Sequence, residues 1–263
     1  MSDTDEKTFR RKSHGKSAVT ERRRKRMMTL SVEWLSKEMR GRYDRTCPLC
    51  LYHGPFAPYR ERIDSRCPSC DSRSHHRLFM LWLDQAKPIH PETRLLHFAP
   101  ETGLAPYLKS LTKNYKSADL NPKRGDLAID ITDIALPDDS QDLIICHQVI
   151  EHVDDARALS ELHRILDPGG TLVLTTPVEE GWAETYENPE AQTRRARQLH
   201  HGQGDHLRLY GRDLRDRIAK AGFTLSEFVA EEPLVSQHAL ERGTRLFICT
   251  KAAKSPAVRT RKK

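Results

Sequence analysis

The sequence predicts an α/β protein: a mostly parallel sheet with helices on its faces, preceded by a small metal-stabilised module. Three observations carry this. Between Thr93 and Thr250, short apolar runs alternate with segments of helical spacing, the pattern of βαβ units. One run, Asp142-Leu143-Ile144-Ile145-Cys146, is almost continuously apolar, as strands buried on both faces are. Ahead of the sheet stand two C-x2-C pairs, Cys47 with Cys50 and Cys67 with Cys70.

Composition narrows the class. With 263 residues, 37% hydrophobic and 31% charged, the chain is neither collagen-like nor wholly disordered. It has no run of 18 apolar residues, and no apolar stretch follows the N-terminal charges. The expected protein is therefore cytoplasmic, without a membrane partner. Its six cysteines are then expected as ligands or buried thiols, not disulfides. The net charge of +7 resides at the ends. Residues 1–45 carry 14 basic and 7 acidic side chains and residues 251–263 carry 6 basic ones, whereas 46–250 hold 24 basic against 30 acidic. Residues 1–45 read as a basic, mostly disordered tail, suited either to attract RNA or only to solvate the chain. Within it, Leu30–Met39 has the spacing of a short amphipathic helix.

Residues 46–86 read as a four-cysteine zinc ribbon. Two thiolates two residues apart bind one ion from a tight turn, and two such turns supply the four soft ligands of a closed tetrahedral Zn2+ site. Cys47, Cys50, Cys67 and Cys70 are thus expected to hold a structural zinc, with a hairpin over Leu51–Arg66 joining the turns. Tyr52, Phe56 and Tyr59 interleave with Arg60, Arg62 and Arg66. They would either stack nucleic-acid bases or cover a module too small for its own core, and the second is expected. His75 and His76 are spare ligands, followed by a helix over Leu78–Leu83.

Residues 88–251 are expected to hold the sheet. Strand Arg94–Ala99, the turn Pro100–Gly103 and helix Leu104–Leu111 come first. Strands Tyr115–Asp119, Ala128–Ile131 and Asp142–Cys146 follow, then a helix over Asp155–Leu166 closed by Asp167-Pro168-Gly169-Gly170. Strand Thr171–Thr175, a helix over Arg212–Ala221 ended by Gly222, and strands Leu225–Val229 and Arg245–Thr250 complete the sheet. Residues 252–263 form a basic tail. In an open parallel sheet, ligands bind beyond the carboxyl ends of the strands. Glu101, Asp119 and Asp130 fall there, and Asp119 lies twenty residues beyond Ala99, where a carboxylate meets ribose hydroxyls. Strand-end aspartates are also ordinary caps.

The segment Leu127–Pro177 resembles class I S-adenosylmethionine-dependent methyltransferases through Asp130, Leu136-Pro137, Asp142, Val149-Ile150-Glu151-His152-Val153 and Ile165–Gly170. More narrowly, Leu96–Glu101, the paired C-P-x-C knuckles, Glu184–Pro189 and Gly202–Gly211 resemble a methyltransferase type 11-like bacterial group with a four-cysteine module in front. The resemblance covers about residues 46–250. It implies a Rossmann-like sheet of seven strands, one antiparallel, and bound S-adenosylmethionine. Cofactor contacts carried over are Ala99, Glu101 and Gly103 at the methionine end, Asp119 at the ribose, Asp130 with Ile131 at the adenine, and Cys146 with His147 beside the methyl group. The superfamily's glycine-rich turn has a single glycine here, which leaves less room for the backbone to approach a ligand.

Methyl transfer asks mainly for alignment, with a base where the acceptor carries a proton. His147 and His206 are the expected bases, with Tyr210 lining the pocket and His152 either a further base or a structural residue. The insert Val178–Asp205 is the expected acceptor wall, in which Arg194-Arg195-Ala196-Arg197 and His200-His201 would bind an anionic acceptor or form a solvated helix face. The expected activity is methyl transfer to a small-molecule or sugar-like acceptor. Its rivals are an RNA methyltransferase that uses the ribbon and basic tail, and a cofactor-binding module without turnover.

Overall fold

Residues 43–59 and 62–254 are described by the computed structural model. The basic tail to residue 42, with the helix expected over Leu30–Met39, and residues 255–263 lie outside them.

The two cysteine pairs form the same turn twice. Cys47 N–H donates to the Tyr52 carbonyl and accepts at its own carbonyl from Leu51, and Cys67 repeats this with Ser72 and Asp71. Leu51 at φ 59° and Asp71 at φ 66° take the left-handed conformation that closes each turn. Strands β1 (Arg45–Thr46) and β2 (His53–Gly54) flank the first turn as an antiparallel pair, and β3 (Ala57–Tyr59) pairs with β4 (Arg62–Arg66) ahead of the second. Helix α1 (Ser74–Ala86) follows. The sequence reading puts it with the ribbon, but its apolar face belongs to the sheet: Leu78, Phe79, Trp82 and Leu83 pack in one cluster with Leu95, Leu143, Ile145, Val173 and Leu246.

The central sheet has seven strands. They are β5 (Leu95–Phe98), β6 (Tyr115–Asp119), β7 (Leu127–Ala128), β8 (Gln141–His147), β9 (Leu166–Thr175), β12 (Phe223–Val229) and β13 (Arg245–Lys251). A two-stranded pair, β10 (Tyr186–Glu187) with β11 (Arg208–Leu209), lies apart. The sheet order is β12-β13-β9-β8-β5-β6-β7, and β13 alone runs antiparallel to both neighbours. Alternation along β5 and β8 splits the core. Leu95, Leu143 and Ile145 face α1 and α2 (Ala105–Leu111), while Leu96, Ile144 and Cys146 face α3 (Asp155–Ile165) and α5 (Leu214–Lys220). The insert carries α4 (Arg194–His201), and α6 (Leu234–Gln237) precedes β13.

Two boundaries differ from expectation. The third strand stops at Ala128, because the Asp130 carboxylate accepts from Thr132 N–H and turns the chain away from the ladder. Asp167-Pro168-Gly169-Gly170 lies inside β9: Leu166 already pairs with Gln141, and Gly169 at φ 88° bulges the strand before Thr171 meets Leu143.

Candidate functional site

The four knuckle thiols converge. Cys47 Sγ lies 3.7 Å from Cys70 Sγ, and Cys50 Sγ 3.6 Å from Cys67 Sγ. A disulfide needs about 2.05 Å, whereas ligands at about 2.3 Å on a tetrahedral zinc lie about 3.8 Å apart. The separations fit a tetrathiolate edge. Around them the aromatic rings cover the module: Phe56 is buried beneath the Arg77 guanidinium, and Arg62 and Arg66 pair with Glu241 and Asp71.

Beyond the strand ends lies a cavity of about 1510 Å³. Ala99, Glu101, Asp119, Asp130, Ile131, His147 and His206, all expected at the site, line it. Ala99 sits at φ 48°, so the smallest chiral side chain takes a conformation that favours glycine. Asp119 Oδ1 accepts from Asn121 N–H and Asp130 Oδ1 from Thr132 N–H, each at 2.8 Å. The cap role is therefore real, and it commits one oxygen of each carboxylate. Hydrogen bonds from Thr132 hold Asp130 below the usual carboxylate range.

Glu101 is the hub of a histidine cluster that the sequence does not announce. Oε1 accepts from His76 Nε2 and His147 Nδ1, each at 3.2 Å, and Oε2 from His97 Nε2 at 2.7 Å. Burial alone would push the Glu101 carboxyl up; the imidazoles of His147, His76 and His97 reverse this and hold it well below the usual range. Burial pushes His75 and His76 down. His75, His76 and Glu101 also have donor atoms within 4.8 Å of one another. However, His76 Nδ1 accepts from the Arg73 N–H, so its Nε2 carries the hydrogen and donates. The arrangement is a hydrogen-bond hub.

A second cluster, Glu151, His152 and His206, lines the other end of the cavity with its donor atoms within 4.8 Å. Glu151 Oε2 accepts from the Thr176 hydroxyl and Oε1 is buried without a partner among the described residues. Burial pushes this carboxyl up to about 7. His152 Nδ1 donates to the Asp205 carbonyl, and Leu207 N–H donates to the Glu151 carbonyl, which locks the two segments together. From the insert, Glu179, Glu180, Arg197 and Gln203 reach the cavity.

Three expected site residues do not. Tyr210 is buried, and its hydroxyl donates to Asp155 Oδ2 at 3.0 Å, with the Arg208 and Arg217 guanidiniums over its ring. Cys146 is fully buried because β8 turns it into the α3 face of the core. Gly103 faces the ribbon: a Cβ there would overlap the Cys70 carbonyl oxygen. The sequence offers His75 and His76 only as spare metal ligands and does not offer His97 or Glu151 as site residues; the signal of the first cluster, histidines on two elements flanking one glutamate, appears only once the helix docks on the sheet.

Residues 103–174 match the family model described as a methyltransferase domain. A probable S-adenosylmethionine-dependent methyltransferase of Mycolicibacterium smegmatis is 44% identical over 48 residues, which span 18% of this chain and 19% of the relative. The chain thus matches about a fifth of that relative's length. Among solved structures, YcgJ of Bacillus subtilis is similar at 14% identity over 68% of this chain and 100% of its own, with a TM-score of 0.49. An S-adenosylmethionine-dependent methyltransferase of Mesorhizobium loti is similar at 19% identity over 65% and 96%, with a TM-score of 0.48. Residues 103–174 are thus similar to a methyltransferase domain, and the sheet order with its one antiparallel strand agrees with the seven-stranded sheet that the resemblance implies.

Proposed function

We propose that the protein transfers a methyl group from S-adenosylmethionine to a small-molecule acceptor held in the outer part of the same cavity. The observation that carries this reading is the continuity of that space. Asp119, Asp130, His147, Arg197 and His206 all line it, and at about 1510 Å³ it exceeds the roughly 300–1,000 Å³ of a single-ligand pocket. Donor and acceptor fit one enclosure.

S-adenosylmethionine brings a methyl group already activated on a sulfonium sulfur. The chain's residues bind, orient and move a proton. Asp130, with one oxygen left by its local turn, takes the adenine, and Asp119, whose second oxygen is shared with the exposed Arg124 at 3.5 Å, takes the ribose, with Ile129 and Ile131 as apolar walls. His147 lies at the end of β8 between the two halves. Its Nδ1–H is held by Glu101, which leaves Nε2 as the basic atom; the side chain is wholly enclosed, so an acceptor's proton reaches it only when the wall of the cavity opens locally, and the imidazolium then forms beside a carboxylate. His206 is the alternative base, on the insert side. Cys47, Cys50, Cys67 and Cys70 would hold a zinc whose role there would be structural, and the ribbon contributes Tyr59, Arg62 and Arg73 to the cavity wall.

Burial of Phe56 and the pairing of Arg62 with Glu241 and of Arg66 with Asp71 reduce the stacking and phosphate-binding face to the half-exposed Tyr52 and Tyr59, which favours a small-molecule acceptor. The test incubates zinc-loaded protein with radiolabelled methyl donor and separate small-molecule and RNA fractions. Label in a small-molecule fraction, salt-insensitive and with S-adenosylhomocysteine formed, is expected. Label only in RNA, or cofactor bound and never turned over in any fraction, overturns the reading.

A further inference from the structure

We propose that the helix behind the second cysteine knuckle is a working part of the transfer site, in which His76 is a positioning residue that acts through Glu101 on His147. The role of His147 rests on the methyltransferase reading above; the hydrogen-bond order does not.

The argument is a chain of donors with one consistent assignment of hydrogens. Arg73 N–H, at the start of α1, donates to His76 Nδ1 at 3.1 Å. A neutral ring that accepts at Nδ1 carries its hydrogen on Nε2. That N–H reaches Glu101 Oε1 at 3.2 Å, and the same oxygen takes His147 Nδ1–H at 3.2 Å. On the other side His97 Nε2–H donates to Oε2 at 2.7 Å, and its Nδ1 accepts from the Tyr115 hydroxyl at 3.1 Å. An ionised carboxylate only accepts, so the rings of His76, His97 and His147 are each driven into a single tautomer. His147 is left with its lone pair on Nε2, which is buried and has no partner among the described residues. A bare buried acceptor costs free energy until a donor meets it; the side chain is wholly enclosed, so the N–H or O–H of a bound acceptor reaches Nε2 on local opening of the cavity wall.

Two further contacts make this order depend on the ribbon. Glycine at position 103 lets the Cys70 carbonyl lie against the turn that carries Glu101. Arg77, one residue beyond His76 and fully buried, donates to the carbonyls of Ser65, Ser72, His238 and Ala239. It pins the first turn of α1 to both the ribbon and the segment before β13. A shift of the ribbon therefore moves His76, and with it the carboxylate that orients His147.

The experiment is a long-range ¹⁵N–¹H correlation spectrum of the histidines in full-length, zinc-loaded protein near neutral pH, with cofactor titrated into the same samples. In the unsubstituted protein His147 is expected as the Nδ1–H form with unprotonated Nε2. His76→Leu is expected to scramble that tautomer and weaken cofactor binding about tenfold, the scale of one lost oriented hydrogen bond. His76→Gln, whose amide N–H stands near the original Nε2, is expected to restore both. Zinc content and melting temperature establish that each variant is folded. His147 found as the Nε2–H form in the unsubstituted protein overturns the proposal without recourse to any variant. So does a His76→Leu protein that folds and leaves the His147 tautomer unchanged. If the unsubstituted protein binds no cofactor while the tautomers are as expected, the methyltransferase reading fails and the positioning network stands.

Discussion

Residues at the mouth of the sheet divide by what their polar atoms already do. Asp130 keeps an oxygen in reserve and the second oxygen of Asp119 faces the exposed Arg124 guanidinium at 3.5 Å, whereas the Tyr210 hydroxyl is consumed by Asp155 and the Ile150 carbonyl. Tyr210→Phe should therefore cost about 1–3 kcal/mol of stability by leaving Asp155 short of a donor, with cofactor affinity unchanged; denaturant unfolding and a cofactor titration on the same variant check this. The strand-end aspartates were legible because a parallel strand delivers its last residue to the ligand edge. Tyr210 was misassigned because a dense run of polar residues looks the same whether it faces a cavity or closes a buried ion cluster. Glu151 adds a pH dependence. Its carboxyl sits at about 7 when folded, against about 4.3 in an unfolded chain, so the folded state binds the proton more tightly. Its contribution to stability is full below about pH 4.3 and is lost as the pH rises through about 7. Buried His75 and His76 act in the opposite sense, so Glu151 is read as a difference: the melting temperature of Glu151→Gln relative to the parent should rise as the pH goes from about 4.3 to about 7.

At the scale of elements, the alternation of strands and helices made most of the sheet readable, since apolar runs such as Leu143–Cys146 leave few other ways to be buried. What could not be read was docking. Helix α1 looks from its neighbours like the end of the ribbon, yet Leu78, Phe79 and Trp82 cover one face of the sheet. That placement, set by tertiary packing, is also what brings His76 to Glu101. The ribbon and the sheet meet most closely where Gly103 faces the Cys70 carbonyl. Gly103→Ala should destabilise the protein by about 1–3 kcal/mol, the range of overpacking, and should loosen zinc retention at the same time. A drop in melting temperature with a faster loss of zinc to a chelator is the expected pair of results; an unchanged melting curve would mean that the ribbon does not bear on the turn.

For the molecule as a whole, the charge distribution places the basic excess in the terminal segments, and the described residues enclose a large cavity lined by carboxylates that include Asp119, Asp130 and Glu151 and by Arg197 and His206. Among the described residues no helix is long and apolar enough to cross a membrane. The account depends on an adenosyl cofactor seated against Asp119 and Asp130, on a turn where Ala99 and Glu101 stand in place of glycines. Calorimetric titration of zinc-loaded protein with S-adenosylmethionine tests this most directly. Saturable binding at one site per chain, weakened about tenfold or more by Asp119→Ala, is the predicted result; no heat at millimolar cofactor, or identical binding by the Asp119→Ala protein, would contradict it.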